Sequence, residues 1–581
     1  MTQAADSPSV SDMANTHPKG KVDSDGYGQV YGFAHVEEGD ETDVSEEQVP
    51  PRFQKKVIIV GAGISAIQQA AVLISEGIVN RDDIQLLDAL DGFGGVWQKN
   101  KYPGCACDVP SMVYTSSMFV NKLYTHFFAT REEIQSYYER FAHAYKLEEC
   151  TRFNSFVKSC YWDEASFTWK VRVQNKISQR IEHWVADVVI HCVGSLDRPK
   201  FGTTPGRENF KGPSWHTSSW RHDVDLSGKR VGIIGLGPSV AQIIPAIIDQ
   251  VESATVYIRT PPICLPRNDF KFSRLFQWAL RWIPGFAWYQ RQKINWRMQA
   301  NGQLNATDGS ANNNALNERA LAFLKSQIKD ERLYDMLRPD AKSRLTITTR
   351  SDLCKRPLFL DNLYSSLSKP NCEVVRENLI KYTEEGVVSA DKTTGEEVER
   401  KFDVILFGTG FNVANFLDHV EITGIGGLDL QEKWKAHPEA LYGLATHSFP
   451  NMFMCFGPNS AHVWSAQQDV WEEQARFNAK MVREVVGREH QGRRLAVHPT
   501  RDAEAKYNQE VQARQNGRFV WTRADCLTYY KNDEGWVTYT MPWTLPEFQR
   551  MLNKIFWNEW NRVEIPSRAA VASGYVWDKL D

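Results

Sequence analysis

Two short glycine-rich segments have the residue types and the spacing to hold a phosphate group. In the first, Gly61-Ala62-Gly63-Ile64-Ser65-Ala66, Gly61 permits a tight turn and Gly63 lets the backbone approach a pyrophosphate. The small Ala66 allows close packing between a strand and the following helix, whose free N–H groups could bind the phosphates. An incidental glycine turn is the alternative interpretation.

The elements on either side of this turn favour a dinucleotide site. Lys56–Val60 is a nearly continuous apolar run, as expected of a buried parallel strand, and a helical pattern follows the turn. A second apolar run, Ile84–Leu87, ends in Asp88, whose carboxylate could accept hydrogen bonds from a ribose. Strand, turn, helix and acid together predict a dinucleotide-binding unit.

A second unit of this kind follows later in the chain. Gly235 and Gly237 again serve the turn and the pyrophosphate, and Val240 stands where glycine or alanine is usual. Helix and strand are therefore expected to lie slightly further apart here. The other helix positions expected to contact the nucleotide are Pro238, Ser239 and Gln242.

The strand after this second turn indicates which nucleotide binds. Ala254–Ile258 ends in Arg259 and Thr260 rather than in an acid. An acid would repel a 2′-phosphate, whereas a guanidinium can hold it by paired hydrogen bonds. We therefore expect NADPH rather than NADH, with a solvated surface arginine as the alternative.

Length and composition limit the number of domains and the classes of partner that this chain can have. The chain has 581 residues, enough for two or three domains, and its net charge of −3 argues against a nucleic-acid partner. Its ten cysteines lack redox or zinc-ligand spacing, so we expect no metal and a reducing compartment. No apolar stretch could span a bilayer and no leader is evident, which favours a cytoplasmic protein. Residues 1–50 are polar and predict a disordered tail.

Between Asp269 and about Arg344 the pattern becomes helical and aromatic. One interpretation is a helical subdomain that packs its aromatic face on the rest of the protein. The other is contact with a membrane surface, because basic residues lie on the opposite side. The aromatic face is approximated by Phe272, Leu275, Phe276, Trp278, Ala279, Trp282 and Ile283, and the basic residues are Lys271, Arg274 and Arg281.

The segment Gly94–Asp108 matches the pattern GGxWxxxxYPGxxxD at every defined position. It resembles the longer fingerprint of Baeyer–Villiger monooxygenases. That resemblance implies that the segment wraps FAD and that Asp108 lies close to the isoalloxazine ring, although a turn or cap role is the alternative for Asp108. The flavin contacts assigned here are Gly95, Val96, Trp97, Asp108, Val109 and Tyr114.

A second segment, Phe210–Trp220, matches FxGxxxHxxxW and resembles the other fingerprint of the same family. Related monooxygenases that hydroxylate nitrogen or sulfur usually carry Tyr or Phe in place of Trp220. Arg221 departs from the Pro or Asp that more often follows in Baeyer–Villiger enzymes. His216 could be a general base, but the resemblance implies a linker, so we interpret His216 as a structural residue.

Lys355 and Arg356 precede Pro357 in an element that resembles the KRP-type motif of this family. The resemblance implies that Lys355 helps to hold the 2′-phosphate of NADP and that Arg356 reaches over the flavin. A guanidinium there would favour the anionic flavin peroxide and the oxyanion of its ketone adduct, with Asp108 orienting it. Without the resemblance, these two residues would be only an exposed basic pair.

Two further segments resemble elements of the family's FAD domain. Phe402–Phe411 resembles the ATG-type element that returns the chain to that domain, with Gly408 in place of the usual alanine. Phe449–Phe453 and Gly457–Asn459 also match, with an ordinary turn before a buried strand as the alternative. The resemblance covers roughly residues 53–560.

The predicted fold is α/β, with two doubly wound nucleotide-binding domains and a helical insertion. We expect the FAD domain at 53–195 and 400–581, the NADPH domain at 196–267 and 346–399, and the insertion at 268–345. The expected activity uses NADPH and O₂ to convert a ketone to an ester or lactone. The aromatic residues of 270–300 suggest a bulky, apolar, even polycyclic ketone of secondary metabolism.

Three other functions remain open at this point. A monooxygenase that hydroxylates nitrogen or sulfur would share most motifs, and Trp220 and Arg356 argue against it. A disulfide reductase would need a cysteine pair that the chain lacks. A flavoprotein that binds its cofactors without turnover is the third.

Overall fold

The computed structural model describes residues 52–338, 357–392, 394–463, 466–524, 526, 528–532 and 534–566. The predicted disordered tail, residues 1–50, and the pair Lys355 and Arg356 lie outside the described residues. The two glycine-rich turns lie in separate sheets, and in each the strand before the turn pairs in parallel with its neighbours, which confirms the predicted α/β fold with two nucleotide-binding units.

The strands and helices are numbered here in chain order. The strands are β1 Arg52–Val60, β2 Ile84–Leu87, β3 Thr151–Arg152, β4 Ser155–Asp163, β5 Thr168–Asn175, β6 Ile181–His191, β7 Ser214–His216, β8 Arg230–Ile234, β9 Ser253–Tyr257, β10 Cys264–Leu265, β11 Leu358–Phe359, β12 Cys372–Val375, β13 Asn378–Tyr382, β14 Gly386–Ala390, β15 Glu397–Lys401, β16 Val404–Phe407, β17 Glu421–Thr423, β18 Met452–Met454, β19 Arg493–Pro499 and β20 Trp560–Pro566. The helices are α1 Ile64–Ser75, α2 Val96–Lys99, α3 Arg131–Ala144, α4 Pro238–Ile247, α5 Arg274–Trp282, α6 Phe286–Ala306, α7 Ala311–Gln327, α8 Glu331–Leu337, α9 Leu363–Leu367, α10 Leu430–Lys433, α11 Gln467–Glu489, α12 Arg501–Gln515 and α13 Leu545–Leu552.

The first sheet has the order β17-β4-β5-β6-β1-β2-β3, and β18 also pairs with β6. Strands β2, β1, β6 and β18 are parallel neighbours, and β17 is parallel to β4, whereas β5 is antiparallel to both of its neighbours, β4 and β6. Side chains of β1 alternate between two buried clusters: Val57 and Ile59 lie in one, Ile58 and Val60 in the other. This burial on both faces is why the second half of β1, Val57–Val60, is continuously apolar and does not alternate with polar residues.

The second sheet has the order β12-β9-β8-β16-β7, and all its pairs are parallel. Strand β16 pairs with β8 through Val404 and Val231, so residues 404–407 still belong to this sheet. The predicted boundary at residue 400 would cut the sheet and is wrong in that respect. We propose that the chain returns to the FAD domain only after Phe407.

Helices α5–α8 follow β10 and form the predicted helical insertion. Helix α5 begins at an N-cap, where the Ser273 side chain accepts a hydrogen bond from the N–H of Phe276. The predicted aromatic face of α5 is only partly correct. Phe272 and Ala279 are buried, but Leu275, Trp278 and Trp282 are exposed.

Neither a membrane-spanning helix nor a metal-binding cluster occurs in the part of the chain that the structure describes. Its helices are too short or too polar to cross a bilayer. Its His, Cys, Asp and Glu side chains form no group of three that could bind a metal ion.

Candidate active site

The first glycine-rich turn lies at the end of β1 and borders a cleft that is open to solvent. Gly61 has a φ of +113°, and a Cβ there would lie 2.7 Å from the carbonyl oxygen of Cys192. Gly63 precedes α1, and a Cβ there would lie 3.4 Å from the Cα of Gly95 across the cleft. Ala66 is fully buried against the strand. Two bare backbones therefore face one another, as close approach of a pyrophosphate requires.

Asp88 follows β2 and lines the same cleft. Its carboxylate accepts hydrogen bonds from the N–H of Ala62 (2.5 Å) and of Leu90 (2.7 Å). Burial raises the pKa of Asp88 to about 6, despite these two backbone donors. A carboxylate has about four acceptor positions, so Asp88 can hold the turn and still accept from a ribose. That second role stays a prediction.

The flavin fingerprint folds back beside this turn. Val96 and Trp97 lie on α2, and the Trp97 indole donates a hydrogen bond of 2.9 Å to the Tyr114 hydroxyl. The two rings meet edge to face at 5.6 Å. Burial raises the pKa of Tyr114 well above its ordinary value, so this hydroxyl keeps its proton. Two predicted contacts, one within the fingerprint and one after it, are 17 residues apart in the chain and are joined in space.

Residues 107–109, at the end of the fingerprint, are buried or half-buried. Val109 is buried, and its N–H contacts the Cys107 sulfur at 3.4 Å. Asp108 between them is half-buried. The partner predicted for Asp108, Arg356, lies outside the described residues, so their pairing stays a prediction.

Gln242 joins the flavin fingerprint to the second nucleotide unit. Its side-chain oxygen accepts a hydrogen bond from the Tyr102 hydroxyl (3.0 Å), and its amide donates to the Ala106 carbonyl (2.8 Å). A Cβ at Gly104 would lie 2.5 Å from the Gln242 carbonyl oxygen. The sequence assigned Gln242 to nucleotide contact. Its side chain instead holds α4 against the fingerprint, and its contact with the nucleotide stays a prediction.

The second glycine-rich turn repeats the first geometry. Gly235 has a φ of +97°, and a Cβ there would lie 2.6 Å from the Gly408 carbonyl oxygen. Gly237 precedes α4, which begins at Pro238 and Ser239. Proline at the first helical position has no N–H to satisfy, so the N–H groups that follow it remain for an anion.

Val240 and Gly408, which both differ from the residue usual at their positions, meet at the same point. A Cβ placed on Gly408 would lie 2.0 Å from a methyl carbon of Val240. The larger residue on α4 is therefore accommodated by the smaller one after β16. Val240 is fully buried, so the expected loosening of helix and strand is compensated across the sheet.

This pairing predicts a non-additive mutant cycle. Gly408→Ala should force Val240 aside and cost roughly 1–3 kcal/mol, and Val240→Ala should leave a cavity of similar cost. The double variant, Val240→Ala with Gly408→Ala, restores the usual small residue on the helix and the usual alanine after the strand. Its loss of stability should therefore be smaller than the sum of the two single losses. Melting temperatures and the Kd for NADP⁺ of the four proteins measure this. Additive losses would contradict direct compensation.

Arg259 and Thr260 follow β9 and are both exposed at the carboxyl edge of the second sheet. Ligands of doubly wound sheets bind at this edge, so the position fits a 2′-phosphate contact.

Arg259→Ala is accordingly expected to raise the KM for NADPH and to change that for NADH little. A charge-assisted hydrogen bond is worth about 1.5–3 kcal/mol, so the expected rise is roughly tenfold or more. Lys381→Ala, which removes an exposed lysine on β13 of another sheet, is the control. Steady-state kinetics with both nucleotides measure the ratio, and an equal loss for both would refute the assignment.

His216 fastens the linker rather than facing a cleft. It ends β7, and its two ring nitrogens lie 2.8 Å from the Ser218 hydroxyl and 3.0 Å from the Gly410 carbonyl oxygen. Burial lowers the pKa of His216 to about 4. A neutral, fully occupied imidazole agrees with the predicted structural role.

Sequence reasoning missed several residues that line the first cleft. Lys99 donates a hydrogen bond of 3.0 Å to the Asp197 carboxylate, and His419 lies nearby. Burial lowers the pKa of His419 to about 4, so it is neutral. Lys99 occupies an unspecified position of the fingerprint, and the other two come from distant loops. No local pattern could have identified them.

Comparison with known proteins agrees with this geometry. The profile of the flavin-binding monooxygenase-like family matches residues 54–270. A Baeyer–Villiger monooxygenase of Streptomyces coelicolor is 33% identical over 502 residues, covering 86% of this chain and 91% of that protein. The chain belongs to the Baeyer–Villiger monooxygenases.

Two further relatives extend the match. The FAD-binding monooxygenase BOA2 of Botryotinia fuckeliana is 32% identical over 509 residues, covering 87% of this chain and 93% of that protein. A crystal structure of cyclohexanone monooxygenase from Rhodococcus sp. Phi1 bound to NADP⁺ is 25% identical. It superposes with a TM-score of 0.73 over 88% of this chain and 99% of its own.

The enzyme is FAD- and NADPH-dependent, and its two turns fit these cofactors. Gly61, Gly63 and Gly95 have no side chains, so the backbone segments that border the first cleft approach one another closely, and Asp88 lines the same cleft. Gly235 and Gly237 form the corresponding turn after β8 of the second sheet, and Arg259 follows the next strand, β9. We assign FAD to the first cleft and NADPH to the second turn, as predicted from the sequence; the individual contact residues stay predictions.

Proposed function

We propose that this enzyme oxidises an apolar ketone to an ester or lactone, consuming one NADPH and one O₂ and releasing water. FAD, when bound, would supply the redox chemistry that passes electrons from NADPH to O₂. The balance is ketone, O₂, NADPH and a proton to ester, water and NADP⁺. The observation that supports this most is the junction at Gln242, where the second nucleotide helix is fixed directly against the flavin fingerprint.

Arg356 and Asp108 are the residues that we propose for the oxygen-insertion step. A guanidinium held near the reacting carbonyl would stabilise the negative charge that develops on oxygen, and a carboxylate would orient it. Lys355 and Arg259 would together hold the 2′-phosphate of NADPH. These roles rest on the motif resemblance and on the proximity of Asp108 to Tyr114, because, besides burial, the charge of Asp108 contributes to the raised pKa of Tyr114.

The size of the ketone stays a prediction. The sequence suggested a bulky, polycyclic substrate because residues 270–300 are aromatic. Several of these rings, including Trp278, Trp282, Trp288 and Trp296, are exposed on the surface of the insertion. They therefore do not support a large internal pocket.

Turnover of a ketone panel with product mass spectrometry tests the proposed function. Cyclic, linear and polycyclic ketones are each incubated with enzyme, NADPH and O₂, and the products are compared with the mass of the ketone plus one oxygen. The proposal expects an ester or lactone with at least one member of the panel. Amines and thioethers in the same assay test the alternative hydroxylation of nitrogen or sulfur.

A further inference from the structure

We propose that the hairpin of α5 and α6 docks on an anionic lipid membrane surface. The hairpin covers Arg274–Ala306 and turns at Pro284 and Gly285. The docking surface is the outer side of the insertion, and its proposed role does not depend on which reaction the enzyme catalyses.

The outer side of the hairpin is unusually rich in exposed rings and aliphatic groups. On α5, Leu275, Trp278 and Trp282 are spaced three and four residues apart and so share one helix face. Their exposed fractions are 74%, 53% and 71%. The turn and α6 continue the exposed set with Ile283, Trp288, Tyr289 and Trp296. An apolar patch of this extent marks an interaction site.

The charges around these rings identify the partner. No acidic residue occurs from Phe270 to Thr307, whereas Lys271, Arg274, Arg281, Lys293 and Arg297 are all exposed. Tryptophan is enriched where a membrane meets water, because one part of its ring is apolar and its N–H is polar. Basic residues beside such rings attract anionic lipid headgroups. The rim of a protein interface usually contains mixed polar residues. A wholly basic, tryptophan-rich surface therefore favours an anionic bilayer as the partner over another protein.

The inner side of α6 is fixed to the body of the enzyme, so the exposed side keeps its direction. Ala287, Arg291 and Asn295 recur every four residues and are buried. The Arg291 guanidinium forms a buried ion pair with Asp469 of α11, and the Asn295 amide donates to the same carboxylate. Arg291 also donates a hydrogen bond of 3.3 Å to the Thr115 carbonyl, next to Tyr114 of the flavin segment. The proposed membrane face is thus attached directly to the cofactor site.

Vesicle co-sedimentation of the full-length holoenzyme tests the proposal. Vesicles of phosphatidylcholine alone are compared with vesicles that also contain phosphatidylserine. We expect binding to the anionic vesicles that weakens as salt rises, with a blue shift of tryptophan fluorescence. No binding to either vesicle would overturn the proposal.

Matched variants locate the contact. Trp282→Ser with Trp288→Ser should reduce binding at least tenfold, on the order expected for two buried rings. Lys293→Gln with Arg297→Gln should reduce it roughly fivefold for each charge removed. Ile177→Ser and Lys229→Gln remove an exposed apolar and an exposed basic residue elsewhere and should leave binding unchanged. FAD content and ketone turnover in solution should stay at the wild-type level in every variant.

Other occupants of the surface give different results. A second copy of the chain would give a concentration-dependent dimer that the tryptophan variants dissociate, with no vesicle binding. The acidic N-terminal segment has eleven acidic and two basic residues in positions 1–50. If this segment covered the surface, the full-length protein would not bind vesicles, and binding would appear only after the segment had been removed. Either result, or equal binding by the variants and the wild type, would overturn the proposal.

Discussion

Replacing Arg356 by alanine is expected to abolish ester formation while the protein still folds and binds FAD. The guanidinium is proposed to stabilise negative charge on oxygen during the reaction, and loss of such a group typically costs about 2.7–4 kcal/mol. That corresponds to a rate roughly a hundredfold lower or more. NADPH consumption should continue in part and release hydrogen peroxide, so ester formed per NADPH consumed falls more than NADPH oxidation does.

Two companion variants sharpen this prediction. Arg356→Lys keeps the charge but lacks the planar donor fork, so it should restore little activity. Arg180→Ala removes an exposed arginine between β5 and β6 and should behave as the wild type. If Arg356→Ala formed ester at near wild-type yield, Arg356 would be an ordinary surface residue and the assignment would fail.

Gly63→Val is expected to yield protein purified without flavin. A Cβ at this position already reaches van der Waals contact with Gly95, and the two methyl groups of valine would enter the space left for the pyrophosphate. The change does not disturb β1, because Gly63 lies outside the strand and has ordinary backbone angles. Absorbance of the purified protein near the flavin bands gives the FAD content directly.

The control for this variant is Gly487→Val on α11, where no atom lies within 4 Å of the added Cβ. It should keep its flavin. Full FAD content in Gly63→Val, combined with lost NADPH binding, would show that the two nucleotide sites had been assigned in the reverse order.

The sequence predicted those parts of the site that a contiguous segment determines. The turns at Gly61 and Gly235, the acid Asp88 and the arginine Arg259 follow from local rules of strand, turn and helix. These residues lie within or directly beside a strand, turn or helix, so their spacing along the chain determines their relative positions. The structure accordingly places each turn and each strand end as expected.

Contacts between distant segments could not be predicted in this way. Val240 and Gly408 each looked like a small defect in its own motif, and only the pairing of β16 with β8 shows that they compensate one another. Strand β16 itself was placed with the wrong domain, because an apolar strand has the same sequence pattern in either sheet. Helix periodicity likewise indicated the aromatic face around Trp278 but not whether that face meets protein or solvent.

Turnover under ¹⁸O₂ shows directly whether the enzyme inserts one oxygen atom of O₂ beside the ketone carbonyl. A ketone accepted in the panel is oxidised with NADPH in an atmosphere of ¹⁸O₂, and the product is fragmented by mass spectrometry. The account predicts one ¹⁸O atom per product, at the alkoxy oxygen inserted beside the former carbonyl, and one molecule of product for each NADPH consumed. An unlabelled product, label only on nitrogen or sulfur substrates, or NADPH oxidation that yields hydrogen peroxide alone would contradict it.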